Sequence, residues 1–300
     1  MSNPRGRPRP AIPLTSFCTD LKRILSFWEC GSNGGVLCTV SNRNGAVHEP
    51  HHRHHPDPRR QEGARHRGAR GIGEGIARAL AAHGAEVAVT YRASRERADA
   101  LVADIVAAGG RAVAVHADAS DADTARAGVR DAVDALGGLD ILVNNAGGGW
   151  FEHFTETPDE HIEATIDLNI RGTVYATQAA IPLLADGGRI ITIGSVNAER
   201  IPFSGGAVYG LTKAAMVGFT KGLARDLAGR GITVNVIQPG PIDTEGNPAS
   251  GEAGDYLAGF TAFGRFGHSS DVGELVSWIA SDASGYMTGS SVTIDGGWTA

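Results

Sequence analysis

The chain has 300 residues, 42% hydrophobic and 20% charged, with a formal net charge of −6. That length and balance suit one or two soluble globular domains, and no apolar run reaches the length of a membrane-spanning helix. Residues 1–70 carry 12 of the 27 Lys and Arg but only 5 of the 33 Asp and Glu, leaving an acidic remainder that argues against nucleic-acid binding. Cys18, Cys30 and Cys38 also fall in that first stretch, and a body without cysteine has no disulfide framework and fits a reducing cytoplasm.

From Met1 to about His66 the sequence shows no period of two or 3.6 residues. An Arg-rich organelle leader fits Trp28-Glu29-Cys30 and the prolines poorly. The cluster His48, His51, His52, His54 and His55 could bind a metal, but such tails are more often adventitious, so no metal is expected. Order begins at Gly68. Gly68-Ala69-Arg70-Gly71-Ile72-Gly73 enters an alanine-rich helical run at 75–83, so backbone N–H groups at a helix start can face a phosphate. Strands are predicted at 86–90, 111–116, 139–143, 189–193, 232–237 and 291–295. Helices are predicted at 95–108, from near Ala122, and at 160–184, 207–228 and 271–281. Residues 245–261, rich in glycine and weakly periodic, read as a mobile lid. The alternation gives an α/β fold, a doubly wound parallel sheet in a single domain over 68–300, with ligands beyond the carboxyl ends of its strands.

The chemistry concentrates after the strand at 189–193. Tyr209 and Lys213 are four residues apart on a predicted helix, which puts both side chains on one face. Bringing a tyrosine from its usual pKa of ~10 to ~7 takes about 4 kcal/mol of preferential phenolate stabilisation, which a neighbouring ammonium and a bound nicotinamide could supply. Such a tyrosine exchanges a proton with a carbonyl or alcohol oxygen at neutral pH, and Ser195 would hydrogen-bond the same oxygen. Around this pair stand Asn144-Asn145-Ala146-Gly147 after Ile141-Leu142-Val143, Asn169 in mid-helix, and Pro239-Gly240-Pro241-Ile242-Asp243-Thr244.

With these ordered motifs the chain resembles the short-chain dehydrogenase/reductase family across residues 68–300. It is most similar to the 3-oxoacyl-[acyl-carrier-protein] reductases, through I-T-I-G-S-V-N, Q-P-G-P-I-D-T and T-G-S-S-V-T-I-D-G-G. The resemblance implies a Rossmann fold and hydride transfer between NADP(H) and a small-molecule ketone/alcohol pair. Tyr209 is then the acid/base and Ser195 polarises the carbonyl. Lys213 lowers the tyrosine pKa and holds the nicotinamide ribose, while Asn169 anchors a relay water. The cofactor would contact Arg70, Gly71, Ile72 and Gly73 at the glycine turn, Asn145 and Ala146 along its adenosine half, Gly147 beside them, Pro239, Gly240 and Ile242 at the nicotinamide end, and Thr244 near the phosphates. Asp118 and Ala119 would meet the adenine, although Asp118 could equally cap the helix near Ala122. Arg92 and Ser94 stand where NAD enzymes carry an acidic residue, so the resemblance points to NADP(H) rather than NAD(H), with Arg92 pairing the 2′-phosphate. Trp150 either contacts substrate or packs. The family further implies a cytoplasmic homotetramer or homodimer, with no membrane or nucleic-acid partner.

One part departs from the family. The fold needs a buried apolar strand running into the glycine turn, and here that slot holds Gln61-Glu62-Gly63-Ala64-Arg65-His66-Arg67. His66 and Arg67 replace the family's Thr-Gly, and Arg67 puts a long side chain where the backbone should pass close to the cofactor. If the arginines use CGN codons, reading the bases one position later permits basic-basic-Val-Leu-Val-Thr-Gly, and the same shift at His48-Glu49 permits an ATG start. Residues 1–67 are therefore expected to be an unstructured, frameshifted segment, and resequencing of that DNA tests this. The rival functional expectation is a catalytically silent protein of the same family, its cofactor turn lost.

Overall fold

Val, Ile and Leu dominate both faces of the central strands, which is the pattern of a parallel sheet covered by helices on each side. The computed structural model describes residues 24–26, 28–29, 35–36 and 71–300. Its elements in order are β1 (Ile24–Ser26), β2 (Trp28–Glu29), β3 (Gly35–Val36), α1 (Ile72–Ala82), β4 (Glu86–Tyr91), α2 (Arg95–Ala107), β5 (Arg111–His116), α3 (Ala122–Leu136) and β6 (Leu139–Asn144). There follow α4 (Asp159–Ile166), a π-helical turn (Asp167–Gly172), α5 (Thr173–Ala180), β7 (Leu184–Ile193), α6 (Ala207–Leu227) and β8 (Thr233–Pro239). The chain closes with β9 (Ile242–Asp243), α7 (Glu252–Ala258), β10 (Gly267–His268), α8 (Ser269–Ala280) and β11 (Ser291–Ile294).

Seven strands form one sheet in the order β11-β8-β7-β6-β1-β4-β5. Every pairing within it is parallel. Successive residues point to opposite faces, and the core divides accordingly. Val87, Val89, Ile141, Val143, Ile191 and Ile193 pack with α1, α2 and α8, whereas Ala88, Leu142, Ile190 and Val234 pack with α3, α5 and α6. Strand order reverses between β1 and β6, and the crevice at such a switch point is where a doubly wound sheet takes its ligand.

Three findings differ from the sequence expectation. The first-strand slot is occupied: Ile24–Ser26 lies between β4 and β6, in register with Val87–Val89 and with Ile141–Val143. An empty slot would leave two ladders of buried backbone N–H and C=O groups unpaired, and Ile24-Leu25 is a short apolar, strand-compatible dipeptide. Gly68, Ala69, Arg70, the altered turn at His66-Arg67 and the histidine cluster lie outside the described residues. Second, the helix expected over 160–184 is interrupted by the π turn and ends at Ala180. Gly172 allows this: a Cβ there would come within 2.0 Å of the Ala119 carbonyl oxygen, so the helix and the end of β5 meet backbone to backbone. Third, the stretch expected as an irregular lid contains α7.

Candidate active site

The cleft at the carboxyl ends of the strands has a volume of about 1210 Å³. Gly71 opens it as the N-cap of α1, with φ of 125°, a value that favours glycine. Ile72 and Arg92 also line it, and Gly73 is buried in the first turn of α1. Ser94 is the N-cap of α2 but makes no side-chain cap bond. Arg92 Nη1 is 3.8 Å from Asp118 Oδ2, which brings the expected phosphate and adenine residues together at one end. Asp118 Oδ1 accepts from Ser120 N and Oγ at 2.9 and 2.6 Å, whereas α3 is capped by Asp121, which accepts from Asp123 N and Thr124 N. The capping role belongs to Asp121. Ala119 is buried against Gly172.

Next along the cleft, Asn145 and Gly147 line its wall and Ala146 is buried behind them. Asn144 braces the strand ends by donating from Nδ2 to Thr177 Oγ1 at 2.9 Å and to Thr192 Oγ1 at 3.5 Å. A Cβ on Gly147 would lie 2.6 Å from Lys213 Nζ and 3.2 Å from Asn169 Oδ1, so lysine and asparagine flank that glycine. Asn169 sits on the π turn and clamps Gly148: its Oδ1 accepts from Gly148 N at 2.9 Å while its Nδ2 donates to Gly148 O at 2.9 Å. The same amide donates to Thr212 Oγ1 at 2.8 Å. A π insertion re-aims one side chain relative to the flanking turns, which explains an asparagine in the middle of an otherwise continuous helix.

Ser195 follows β7, and Tyr209 and Lys213 occupy the first two turns of α6. All three line the cleft. Burial pushes the phenol above its ordinary value, and the nearby Ser195 side chain opposes that rise. The expected downward shift is thus reversed in the protein alone. Lys213 Nζ stands 5.6 Å from the centre of the tyrosine ring and donates to Ile193 O at 3.1 Å. At the far end Pro239, Gly240, Ile242 and Thr244 line the wall, and Gly240 packs against the Asp295 backbone, which a Cβ would approach to 2.7 Å.

Two further polar residues were not singled out by sequence reasoning. Gln238, fully buried, accepts at Oε1 from Ser195 N at 2.6 Å and donates from Nε2 to Ser291 Oγ at 3.2 Å. Thr212, also fully buried, orients Asn169 and donates to Tyr209 O at 2.8 Å. A glutamine at the buried end of Val-Asn-Val-Ile-Gln was the available signal, because a buried amide needs partners.

Comparison with known proteins agrees with this geometry. The family model described as enoyl-(acyl carrier protein) reductase matches residues 68–299. The cyclic-di-GMP-binding biofilm dispersal mediator protein of Escherichia coli is 41% identical over 233 residues, covering 78% of this chain and 94% of that protein. A 3-oxoacyl-[acyl-carrier-protein] reductase of Staphylococcus aureus is 38% identical over 232 residues, covering 76% and 94%. Among solved structures, a short-chain dehydrogenase/reductase from Serratia marcescens is 48% identical with a TM-score of 0.76, covering 78% of this chain and 95% of that one. A short-chain dehydrogenase from Burkholderia cenocepacia in complex with NADP is 45% identical with a TM-score of 0.75, over the same 78% and 95%. With a matching family model over most of its length, relatives well above 30% identity, and a doubly wound sheet carrying the serine, tyrosine and lysine in one cleft, the chain belongs to the short-chain dehydrogenase/reductase family of oxidoreductases.

Proposed function

We propose that residues 68–300 form an NADP(H)-dependent reductase that interconverts a ketone and its alcohol. The observation that carries this reading is that Ser195, Tyr209 and Lys213 line a single cleft with Gly147 and Gly148, the glycines against which Lys213 and the buried Asn169 are placed. The cleft suits a dinucleotide: α1 presents its N-terminus at Gly71, glycines stand where Cβ atoms would collide, and the Arg92 guanidinium lines one end. Arg92, in a Tyr91-Arg92-Ala93-Ser94 stretch that carries no acidic residue after β4, favours a 2′-phosphate, in line with the NADP bound to the Burkholderia relative.

In the reductive direction bound NADPH supplies the hydride. Tyr209 holds the proton destined for the carbonyl oxygen, and its raised pKa keeps the phenol protonated before reaction. Ser195, fixed through its backbone by Gln238, orients that oxygen beside the phenol. Lys213, buried and aimed by Ile193 O, supplies positive charge as the phenolate forms, and Asn169 supports the adjoining backbone.

The finer substrate label, a 3-oxoacyl thioester on an acyl carrier, is supported by the 38% identity to the Staphylococcus enzyme. A silent relative is the rival, and its support is Arg67 in the glycine turn. We also infer a cytoplasmic homotetramer or homodimer, tested by light scattering of the purified chain. Fluorescence titration with NADPH and NADH, followed by Tyr209→Phe, tests the main reading. Micromolar NADPH binding is expected, unchanged in the variant, with turnover lowered by about 10³-fold. A chain that binds neither nucleotide supports the silent reading, and turnover retained in Tyr209→Phe refutes the assigned acid/base.

A further inference from the structure

Beyond the tyrosine the cleft widens into a wall built from aromatic rings. Phe151 lies 5.1 Å from the Tyr209 ring and 5.9 Å from Phe203, centroid to centroid. Phe203 continues to Trp298 at 6.4 Å, Trp298 to Phe260 at 5.4 Å, and Phe260 to Tyr256 at 5.0 Å. Every spacing falls in the range of tilted and edge-to-face aromatic contacts, so the rings form one chain of contacts from Tyr209 to α7, of which Phe151, Phe203, Trp298 and Tyr256 line the cleft. They come from segments far apart in sequence.

This wall is anchored yet open. Trp298 is 2% exposed, donates from Nε1 to Arg200 O at 3.2 Å, and accepts at its own carbonyl from Arg200 Nη1. Phe151 and Tyr256, by contrast, are 53% and 58% exposed and both line the cleft. Large apolar rings left in water on a concave surface mark a place that a ligand covers. Charge is scarce: among the described residues the cleft is lined by only three charged side chains, Arg92, Asp167 and Lys213. Arg92 stands with Asp118 at the opposite end, Asp167 accepts a hydrogen bond from Arg171, and Lys213 is buried beneath the tyrosine. The cation nearest the aromatic wall, Arg200, is tied to the Trp298 carbonyl and is not among the residues lining the cleft.

We propose that the substrate is an uncharged ketone bearing a flat aromatic or alicyclic group, and that Phe151, touching both the proton donor's ring and the outer wall, determines this specificity. The inference rests on the reductase reading above and names its substrate class.

The test uses the full 300-residue chain with three probes: 1-phenylpropane-1,2-dione, butane-2,3-dione and acetoacetyl-coenzyme A. NADPH consumption gives kcat and KM for each, and quenching of tryptophan fluorescence gives binding without turnover. Trp150 and Trp298 both line the cleft and report that quenching. We expect kcat/KM for the phenyl dione to exceed that for butanedione at least tenfold, with a matching gap in affinity. In Phe151→Ala this ratio should fall at least fivefold, mainly through KM for the phenyl dione, and Phe151→Leu should restore part of it. Equal rates for the two diones, or preference for the coenzyme A thioester, overturns the aromatic-ketone proposal while leaving the reductase reading intact. Bound NADPH with no turnover of any ketone overturns the reductase reading and this proposal with it.

Discussion

Gly147→Ala probes the lysine because the Lys213 ammonium is the atom nearest the new methyl group, with NADPH affinity measured alongside since Gly147 also lines the cleft. The methyl carbon would lie 2.6 Å from Lys213 Nζ and 3.2 Å from Asn169 Oδ1. Ordinary contact between such atoms needs roughly 3.5 Å, so the ammonium must retreat by about 1 Å. That movement disturbs its 3.1 Å bond to Ile193 O. A hydrogen bond to a charged group is worth about 1.5–3 kcal/mol, and a 1 Å misplacement at a catalytic centre can cost about 10²-fold in rate. Folding should tolerate the change: no non-glycine φ is imposed, since Gly147 is not among the glycines with positive φ, and the obstructing atom ends a flexible side chain. The expected variant is therefore soluble, melts within about 2–8 °C of the parent, and shows kcat for ketone reduction lower by about 10²-fold. Stopped-flow NADPH oxidation and a thermal melt measure both. Parental kcat in a folded Gly147→Ala chain would refute the placement of Lys213 in the reaction.

Three other outcomes follow from the site. Arg92→Asp removes the cation at the adenosine end and places a carboxylate beside Asp118, so the NADPH-to-NADH preference in kcat/KM should fall at least tenfold; an unchanged preference removes Arg92 from the phosphate site. The Tyr209 phenol, raised by burial, should titrate above ~10 in the cofactor-free chain when followed by ultraviolet absorbance, and NADP⁺ should lower it. Because that pKa is raised on folding, its stabilising contribution is complete below ~10 and is lost as pH climbs toward the folded value; an unshifted titration would contradict the burial argument. Gln238→Leu leaves Ser195 N without its buried acceptor, so kcat should drop by about tenfold or more and stability by about 1–3 kcal/mol; a chain as active and stable as the parent would assign the glutamine no positioning role.

What could be read from the sequence divides along local and non-local lines. The strands of the seven-stranded sheet from Glu86 onward were legible because buried parallel strands announce themselves as short β-branched runs, and Tyr209 and Lys213 because helical spacing fixes their common face. Asn169 was legible as a residue needing a reason in mid-helix, but its reason was not: it lies on a π turn whose last residue, Gly172, meets the Ala119 carbonyl, a tertiary contact with no periodic trace. α7 escaped notice since its seven residues begin after Gly251 without a side-chain cap. β1 has three residues and lies far in sequence from the glycine turn that such a strand normally feeds, so no pattern could nominate it.

The aromatic wall carries this reasoning further. Its members Phe151, Phe203, Tyr256, Phe260 and Trp298 belong to four segments, and each alone reads as an unremarkable apolar residue. Only the fold brings them to one side of Tyr209, with the terminal tail tied to the Arg200 segment by bonds in both directions. The tail is itself held by Asp295, which accepts from Gly297 N, Thr299 N and Thr299 Oγ1. Burial works against that carboxylate, yet the bonds from Thr299 and Gly297 hold its pKa below the usual range. Tyr209 and Lys213, both encoded within one helix, can thus persist while the aromatic wall changes, because that wall is assembled from other segments. Family membership accordingly fixes the reaction more firmly than the substrate, and it is the residues across the cleft from Tyr209 that decide which ketone arrives there.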